Sequence, residues 1–482
     1  MKSILLKYTF IISLFCGSVS MLGQAPMSLY YLKNTPQSVL INPAKEPRPN
    51  FFIGIPMVNS LTSFQSDIPL VDFIQLNSDG IPLSPLNDGY DYGKLYNKIG
   101  DGINLRVDQQ IIPLMFGFRT RNGYFTFSYS EKVSMNYGLP KGFFVLLENG
   151  TPDNTTISLN GLNLENAIYH EFAFSYSRSL NDKLTVAARI KPLFGVAASK
   201  TDFTDFTIHT SRTSYDLVAN ADIMTSIPGV EEIEYDEDGV PSDIEMQDID
   251  SDYFLNNALS FTNPGIAFDF GAVYELDDKW SFSAALNDLG AIKWKDNLNS
   301  LSARGSYSYQ GALIDTSVID NGSKISEDIV DSLLAGVNIT HDPLSFRTGL
   351  SPVLYMGAEY NVNHVFSLGF LSRSIFHKDF FRQDFNVSAN LNLYHRLATS
   401  VNYNVDIRGK SHVGFGLSSF IGPLQIYMMV DKIPLYYRNY TIDGNDIPIF
   451  GDMQSASVMF GMNLVFGSKG FKDKPMLSLR DR

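Results

Sequence analysis

The sequence predicts an all-β fold, a transmembrane up-and-down antiparallel β-barrel of about 14 strands with an N-terminal plug segment. Two observations carry this prediction. Apolar and polar residues alternate with period two along most of the 482 residues, which is the pattern of strands with one apolar and one polar face. The connections between these strands alternate between short and long, as they do in membrane barrels.

The first twenty residues have the composition of a secretory signal peptide. Lys2 and Lys7 precede a short apolar run, and small residues follow it, whereas a spanning helix needs about 20 apolar residues. We place the signal peptide at 1–20, with cleavage between positions 20 and 24. Acylation of the one cysteine, Cys16, is an alternative that bulky Phe15 disfavours. The mature chain is otherwise free of cysteine, which excludes disulfides and thiol chemistry.

The remaining composition narrows the class of protein. Aromatic residues make up 13% of the chain and the formal net charge is −14, so nucleic acid is not an expected partner. An exported, aromatic-rich chain of alternating strands is either a secreted β-sandwich or a barrel in the cell outer membrane. We predict the barrel, with a plug segment over 21–50, the barrel over 51–466 and a polar tail over 467–482.

The clearest hairpin spans 264–290. Apolar residues occupy alternate positions from Ile266 to Leu276, a turn follows at 277–279, and the alternation resumes at Trp280. Its apolar face is expected to face lipid.

The other elements follow in chain order. The sequence predicts one strand at Phe51–Phe64, a short helix around Tyr90–Ile99, and strands at Gln110–Arg119 and Gly123–Tyr137. A polar connection over 138–168, a hairpin around 172–190 and an acidic connection over 200–263 follow. A second long connection over 291–352 is predicted to contain a strand near 305–313 and a helix near 325–335, and regular hairpins run from 354 to 466.

The connections decide between the sandwich and the barrel. Short ones follow residues 119, 180, 276, 360, 393 and 420, and longer ones follow 137, 199, 290, 373, 406 and 432. A sandwich has no reason for such a rule, whereas a membrane barrel has short periplasmic turns and long outer loops. Thirteen strands from Gln110 onward and one before it give fourteen. The sheet must close because lipid cannot satisfy backbone groups.

One pair of strands indicates what faces the lumen. The alternate positions of the strands around 385–405 are Asn386, Ser388, Asn390, Ser400, Asn402 and Asn404. A polar inner face of this kind fits a solvated lumen.

A short motif precedes the first strand. Asn42-Pro43-Ala44 resembles the NPA motif of FadL-type long-chain fatty-acid transporters, a superfamily that includes the type IX secretion barrel PorV. Over residues 30–466 the chain resembles, more closely, an uncharacterised Bacteroidota family of outer-membrane barrels, through stretches such as PQSVLINPA and IIPLMFGFRTRNGYFTFSYSEKV. A simple Asn-Pro turn is the alternative interpretation of the tripeptide.

The resemblance implies a function. A FadL-like chain would be a passive channel or binding protein for small, hydrophobic molecules, with the N-terminal segment folded into the lumen. The alternative is a PorV-like surface scaffold that binds exported proteins. Outer-membrane lipid surrounds the barrel in both cases. The channel would bind its small molecule in the lumen, whereas the scaffold would bind exported proteins with its outer loops.

The acidic connection contains a candidate metal site. Glu234, Asp236, Asp238, Gly239 and Glu245 occupy positions 1, 3, 5, 6 and 12 of an EF-hand-like loop, which would place carboxylates around Ca²⁺. Glu at the first position and the lack of flanking helices favour a solvated acidic loop instead.

No catalytic site is predicted. The seven histidines have no metal-ligand spacing, and the chain has no G-x-S-x-G or S-x-x-K signature. A barrel enzyme that assembles Ser, His and Asn from different strands is the remaining alternative. We therefore expect a protein that is not an enzyme and needs no cofactor.

Overall fold

The structure is a computed structural model. It describes residues 26–468 apart from 33–34, 57, 74, 77–81, 86, 88, 150–152, 212–213, 236–240, 247–260, 311–337, 379–380, 394–396, 408, 435–436, 443–444 and 451–453. The predicted signal peptide and residues 469–482 of the predicted tail lie outside the described residues.

Strands dominate the described chain. The helices are two 3₁₀ helices at Met27–Tyr31 and Pro36–Leu40, and α1 (Leu70–Phe73), α2 (Tyr92–Ile99) and α3 (Lys141–Asn149). The strands are β1 (Pro49–Gly54), β2 (Asn59–Ser66), β3 (Gln75–Leu76), β4 (Pro82–Leu83), β5 (Gly102–Arg119), β6 (Tyr124–Pro140), β7 (Thr156–Ser158), β8 (Asn163–Ser179), β9 (Leu184–Thr210), β10 (Ser214–Ser226), β11 (Val230–Tyr235), β12 (Pro241–Met246), β13 (Pro264–Glu275), β14 (Trp280–Trp294), β15 (Leu298–Gln310), β16 (Asn338–Thr340), β17 (Phe346–Gly349), β18 (Val353–Asn361), β19 (Phe366–Phe376), β20 (Phe381–Leu393), β21 (Leu397–Asp406), β22 (Ser411–Ile421), β23 (Leu424–Pro434), β24 (Tyr437–Ile442), β25 (Asn445–Phe450) and β26 (Ser455–Ser468).

The wall is a closed antiparallel barrel of fourteen strands, as predicted. Two of the fourteen are composite: β1 and β2 together count as the first strand, and β17 and β18 together count as another. In order round the barrel the strands are β1/β2, β5, β6, β8, β9, β13, β14, β17/β18, β19, β20, β21, β22, β23 and β26. The last strand, β26, pairs with both β1 and β2, which in turn pair with β5. Closure satisfies the backbone groups that an open edge would expose to lipid.

The first wall strand is interrupted. The sequence predicts a single strand at Phe51–Phe64, but the structure divides it into β1, which ends at Gly54, and β2, which begins at Asn59. Pro56 lies in this break, and proline has no N–H to contribute to a ladder. The two halves still count as one strand of the wall because both pair with the same neighbours.

The two faces of the wall differ as predicted. On β13 and β14 the side chains of Ile266, Phe270 and Phe282 are 46%, 49% and 42% exposed on the outer surface. The intervening inward residue Asp269 is completely buried. The outer surface is therefore apolar and suited to lipid.

The lumen differs from the prediction. The inward row of Asn and Ser on β20 and β21 is buried, and its members bond to one another, as Asn386 to Asn404 at 2.7 Å and Ser400 to Asn390 at 2.7 Å. This part of the lumen is thus filled rather than solvated. The N-terminal residues that fill it are described below.

The acidic connection over 200–263 is more ordered than predicted. Strand β9 continues to Thr210, and β10 pairs with it and with β15. The predicted strand near 305–313 is β15, at Leu298–Gln310, whereas the predicted helix near 325–335 lies outside the described residues. Strands β9, β10, β15 and β16 thus form a sheet that extends the wall beyond the barrel; we call it the upper sheet.

Helices lie beside the ends of β5 and β6. The predicted helix around Tyr90–Ile99 is confirmed as α2, whose first turn is capped by Asp91 accepting from the Lys94 N–H. The predicted polar connection over 138–168 instead contains α3, which packs Phe144 against α2 and its neighbours. No helix among the described residues is long and apolar enough to cross a bilayer.

Candidate functional site

Residues 26–48, described except for 33–34, lie inside the barrel; we call them the inner segment. Its hydrogen bonds reach the wall on several sides. They join the Ser28 N–H to Asp431 Oδ2 (2.9 Å), Tyr31 Oη to the Ala358 carbonyl (3.1 Å), Gln37 Nε2 to Asn463 Oδ1 (2.7 Å) and Arg119 Nη1 to Glu46 Oε2 (2.6 Å). These wall partners belong to β23, β18, β26 and β5, so the segment is held from all round the lumen.

Two tyrosines pack at the start of the inner segment. The rings of Tyr30 and Tyr31 meet edge to face, 5.1 Å apart, and the Tyr30 hydroxyl donates to Ser283 Oγ at 2.9 Å. Burial raises the pKa of both phenols. They therefore stay protonated and act as donors. The Lys45 ammonium lies 3.6 Å from the Tyr30 ring centre, within range of a cation–π interaction.

The Asn42-Pro43-Ala44 motif forms a turn that is bonded to the wall. Asn42 Oδ1 accepts from the Ala44 N–H at 2.9 Å, which is the local bond of an Asx turn. Its amide nitrogen lies 3.4 Å from the Ala272 carbonyl and 3.3 Å from the Ala284 carbonyl. The motif thus joins the inner segment to the hairpin of β13 and β14. Asn42 makes both the local turn and the contacts with the wall, so the two interpretations are compatible.

The wall makes room for the inner segment with glycines. A β-carbon on Gly271 would collide with the Asn42 side-chain oxygen and lie 2.9 Å from the Ala44 nitrogen. One on Gly369 would lie 2.6 Å from the Tyr31 ring, and one on Gly416 would lie 2.8 Å from Leu32 Cδ1. The close fit of segment and wall therefore depends on the absence of side chains at these positions.

Gly271 gives a direct test of this fit. We expect Gly271→Ala to push the Asn42 turn off the wall and lower the free energy of unfolding by about 1–3 kcal/mol. Trypsin should then cut after Lys45 faster than in the unmodified protein. Gly349→Ala is the matched control, because a β-carbon there meets nothing within 4 Å. Equal cleavage in the two variants would show that the fit at Gly271 is not tight.

A cavity of about 140 Å³ adjoins the inner segment. Its charged lining comes from consecutive wall strands and from β14: Arg106, Asp108, Lys132, Glu165, Glu171, Arg189, Lys191 and Asp288. Part of its apolar lining comes from the inner segment, from β2 and from residues in and just before β18: Leu40, Leu61, Leu350, Val353 and Tyr355. The rest, Val133, Ala167 and Tyr169, comes from β6 and β8, which also carry charged residues. We call this space the lumenal cavity; its lining combines charged and apolar side chains.

The charges of the lumenal cavity are paired with one another. Asp269 accepts from Arg189 at 2.8 Å and from Lys191 at 2.7 Å, and Lys191 also lies 2.8 Å from Asp288. Arg189 additionally donates to the Val39 and Leu40 carbonyls of the inner segment. One network of buried charges therefore connects the cavity wall to the segment.

Two asparagines in the cavity lining have an unused acceptor. Asn136 and Asn287 are 7% and 4% exposed, and their side-chain oxygens have no hydrogen-bond partner among the described residues. A buried acceptor costs free energy unless water or a ligand donates to it. Both residues line the cavity, so a molecule there can use them.

A second buried charge network lies across the lumen. Asp384 lies 2.5 Å from the Arg373 guanidinium and 3.4 Å from Lys432 Nζ. The neighbouring Asp431 accepts from the Ser28 backbone N–H. Asp431 thus holds the start of the inner segment beside this network, whereas Arg189 of the first network holds the residues before the Asn-Pro-Ala turn.

The calcium candidate is only partly described. Glu234 lies on β11 and Glu245 on β12, which pair as an antiparallel hairpin with Glu232 opposite Glu245, whereas Asp236, Asp238 and Gly239 lie outside the described residues. Within the described part of the chain no group of three or more His, Cys, Asp or Glu is placed to hold a metal. Calcium binding there stays a prediction.

Sequence reasoning did not find the lumenal cavity. Its signal was present, as charged residues at inward positions in the alternating parts of the wall strands, such as Asp269 on β13 and Arg189 and Lys191 on β9. The alternation of apolar and polar residues identifies which side chains face inward. It does not show which strands place opposite charges next to each other.

Comparisons with known proteins identify a family but no function. The model of a family described as "Family of unknown function (DUF5723)" matches residues 43–431. A comparison with curated proteins finds no match.

Several solved structures are similar at low identity. They include the Ralstonia pickettii toluene transporter TbuX (10% identity, TM-score 0.44, covering 93% of this chain and 99% of that one), the P. putida toluene transporter TodX (10%, 0.39, 94% and 96%) and a Pseudomonas aeruginosa FadL homologue (12%, 0.40, 93% and 98%). Likeness at these TM-scores does not bear on cargo. The predicted likeness to PorV and the Bacteroidota origin stay predictions.

Proposed function

The chain belongs to this family of unknown function, and we propose that it is an outer-membrane barrel that binds small molecules in the lumenal cavity and passes them across the membrane. The observation that carries the proposal is the position of the cavity. It lies inside a closed barrel with a lipid-facing wall and is bounded on one side by Leu40 of the inner segment. The inner segment acts as the plug in this proposal, since it lies inside the barrel and bonds to several wall strands.

The lining of the cavity specifies the class of molecule. A volume of about 140 Å³ is close to that of an engineered cavity of about 150 Å³ that binds benzene. The apolar lining suits a ring or a short alkyl group, and the charged lining suits one polar or ionic group. The hydrophobic cargo expected from the sequence is thereby refined to a small amphipathic molecule of about one ring.

Entry of a ligand would act directly on the plug. Arg189 lines the cavity, pairs with Asp269 and donates to two carbonyls of the inner segment. A ligand that draws Arg189 away from Asp269 weakens the bonds that hold residues 39 and 40. Passage then requires movement of the inner segment rather than opening of the wall.

Uptake by proteoliposomes tests the proposal. The probes are benzenesulfonate and phenyltrimethylammonium, which are permanently charged and do not cross bare lipid. We expect the protein to speed uptake of at least one probe in a saturable manner, and Leu40→Trp, which fills the cavity, to reduce uptake at least tenfold. Leu180→Trp, at an exposed position outside the lumen, should take up the probe as the unmodified protein does.

Two results of the uptake experiment would contradict the proposal. If folded Leu40→Trp protein takes up both probes at the rate of the unmodified protein, the cavity is not on the path. If neither probe enters faster than into empty liposomes, the barrel is not a conduit for molecules of this class.

The upper sheet favours a second candidate function, a surface scaffold for exported proteins. Strands β10 and β15 pair over thirteen residues beyond the barrel, and such a surface offers a docking platform above the membrane. Binding of exported proteins that is lost on deletion of 212–262, with barrel assembly intact, would support it. Retained binding would exclude the upper sheet as the docking surface.

A further inference from the structure

The lipid-facing wall carries a groove at β13, β14 and β17. It is lined by the apolar side chains of Ile266, Phe268 and Leu289 and by the small residues Gly265, Gly290 and Ala291. Ile266 and Phe268 are 46% and 39% exposed on the outer surface. Ala291 is the small outward-facing residue of this set, opposite Ile266 in the ladder, and the space above it leaves a depression in which an alkyl chain can lie.

Two cations stand at one end of this groove. Lys293 on β14 and Arg347 on β17 are directly opposite each other in the antiparallel ladder, and both also line the groove. Both side chains are exposed, and neither has a hydrogen bond or ion pair with any residue that the structure describes. Lys200 adds a third cation nearby, since its ammonium donates to the Arg347 carbonyl at 3.0 Å.

Opposed like charges on a strand pair are destabilising unless an anion lies between them. The wall offers no carboxylate to this pair among the described residues. The charge arrangement therefore favours an anion from outside the protein, and its direct continuation into an apolar groove favours an anion that carries an alkyl chain.

The depth of the pair is that of a lipid headgroup. Trp280, an exposed aromatic residue at the short-turn end of β14, precedes Lys293 by thirteen residues. At about 3.3 Å per residue and a strand tilt of about 40°, this separation spans roughly 33 Å of membrane normal. The hydrocarbon core is about 30 Å thick. When Trp280 lies at one interface, Lys293 and Arg347 lie at the other.

We infer that this groove is a binding site for a phosphorylated, acylated glycolipid of the outer leaflet. An acyl chain occupies the depression beside Ile266 and Phe268, and a phosphate bridges Lys293 and Arg347 through charge-assisted hydrogen bonds. An acidic protein would satisfy the cations but could not fill an apolar groove at hydrocarbon depth. The site is separate from the lumenal cavity and does not depend on transport.

Native mass spectrometry of the full-length barrel in detergent tests this inference, with bis-phosphorylated lipid A as the probe. We expect the Lys293→Gln/Arg347→Gln double variant to bind lipid A at least tenfold more weakly. Ala291→Phe, which fills the groove and keeps both cations, should weaken binding to a similar degree. Lys183→Gln/Lys279→Gln removes two cations from the turns at the opposite rim and should bind as the unmodified protein does.

Two results would overturn the inference. Lipid A binding that is equal in the double variant and in the control, or equal for phosphorylated and dephosphorylated lipid A, would show that the cations do not hold a phosphate. Binding of phosphatidylglycerol in preference to lipid A would show that the site takes a phospholipid and not a glycolipid.

Discussion

Replacing Asp269 by asparagine should lower the free energy of unfolding of the barrel by about 3–5 kcal/mol. The carboxylate is completely buried and is paired with Arg189 and Lys191, which are 4% and 3% exposed. Asparagine keeps the shape of the side chain but removes the carboxylate that pairs with Arg189, while Lys191 keeps its contact with Asp288. Urea unfolding in lipid vesicles, followed by tryptophan fluorescence, measures the change.

A control and a double variant separate charge pairing from a general effect of substitution. Asp278→Asn lies in an exposed turn and should change stability by less than about 0.5 kcal/mol. Adding Arg189→Met to Asp269→Asn should recover part of the loss, because it removes the cation that Asp269→Asn leaves without its carboxylate. A loss for Asp269→Asn no larger than that for Asp278→Asn would show that the network does not stabilise the fold.

The second large effect is expected on the outer wall. Phe270→Lys places a charge on a side chain that is 49% exposed and lies in the middle of β13. A lysine near the bilayer midplane costs about 2–4 kcal/mol, and one near the interface costs about 0–1 kcal/mol. We therefore expect Phe270→Lys to fold poorly into vesicles. The shift of the folded band in unheated gel samples gives the folded fraction.

Leu276→Lys is the depth control for this prediction. It lies at the turn end of the same hairpin, is similarly exposed at 41% and should assemble almost normally. Phe270→Leu tests whether the aromatic ring itself is needed. If Phe270→Lys assembles as well as Leu276→Lys, this face of the wall does not lie in hydrocarbon.

The period-two alternation of apolar and polar residues predicted the wall strands, because a lipid environment requires that alternation. A strand inside the bilayer has one face toward hydrocarbon and one toward the lumen, so residues such as Ile266 and Phe268 alternate with inward residues such as Asp269. Beyond the membrane no hydrocarbon requires one face of a strand to be apolar, and Ile208 packs in a small cluster with Ile157 and Leu217 instead. The stretch from Lys200 to Thr210 on β9 therefore loses the alternation, and sequence reasoning interpreted it as a loop.

Other features depend on residues far apart in the chain. The Asn and Ser residues of β20 and β21 were correctly assigned to the inner face, but their burial requires the inner segment beside them. Pairing of Arg189 with Asp269 depends on the register of β9 and β13, which alternation alone does not specify. Helix α3 was missed because its short apolar run, Phe143–Leu147, lies within a connection that contains Pro and Gly residues.

The inner segment also dictates the order of events during folding. It directly precedes β1, the strand that closes the barrel against β26, yet Ser28 and Gln37 bond to residues 403 and 426 positions away. Contacts of such long range form late and slow the reaction. Asn463 of the closing strand itself binds Gln37, so the contacts that close the barrel and those that hold the segment share a residue. Barrel closure and plug insertion are therefore expected to occur as one cooperative step.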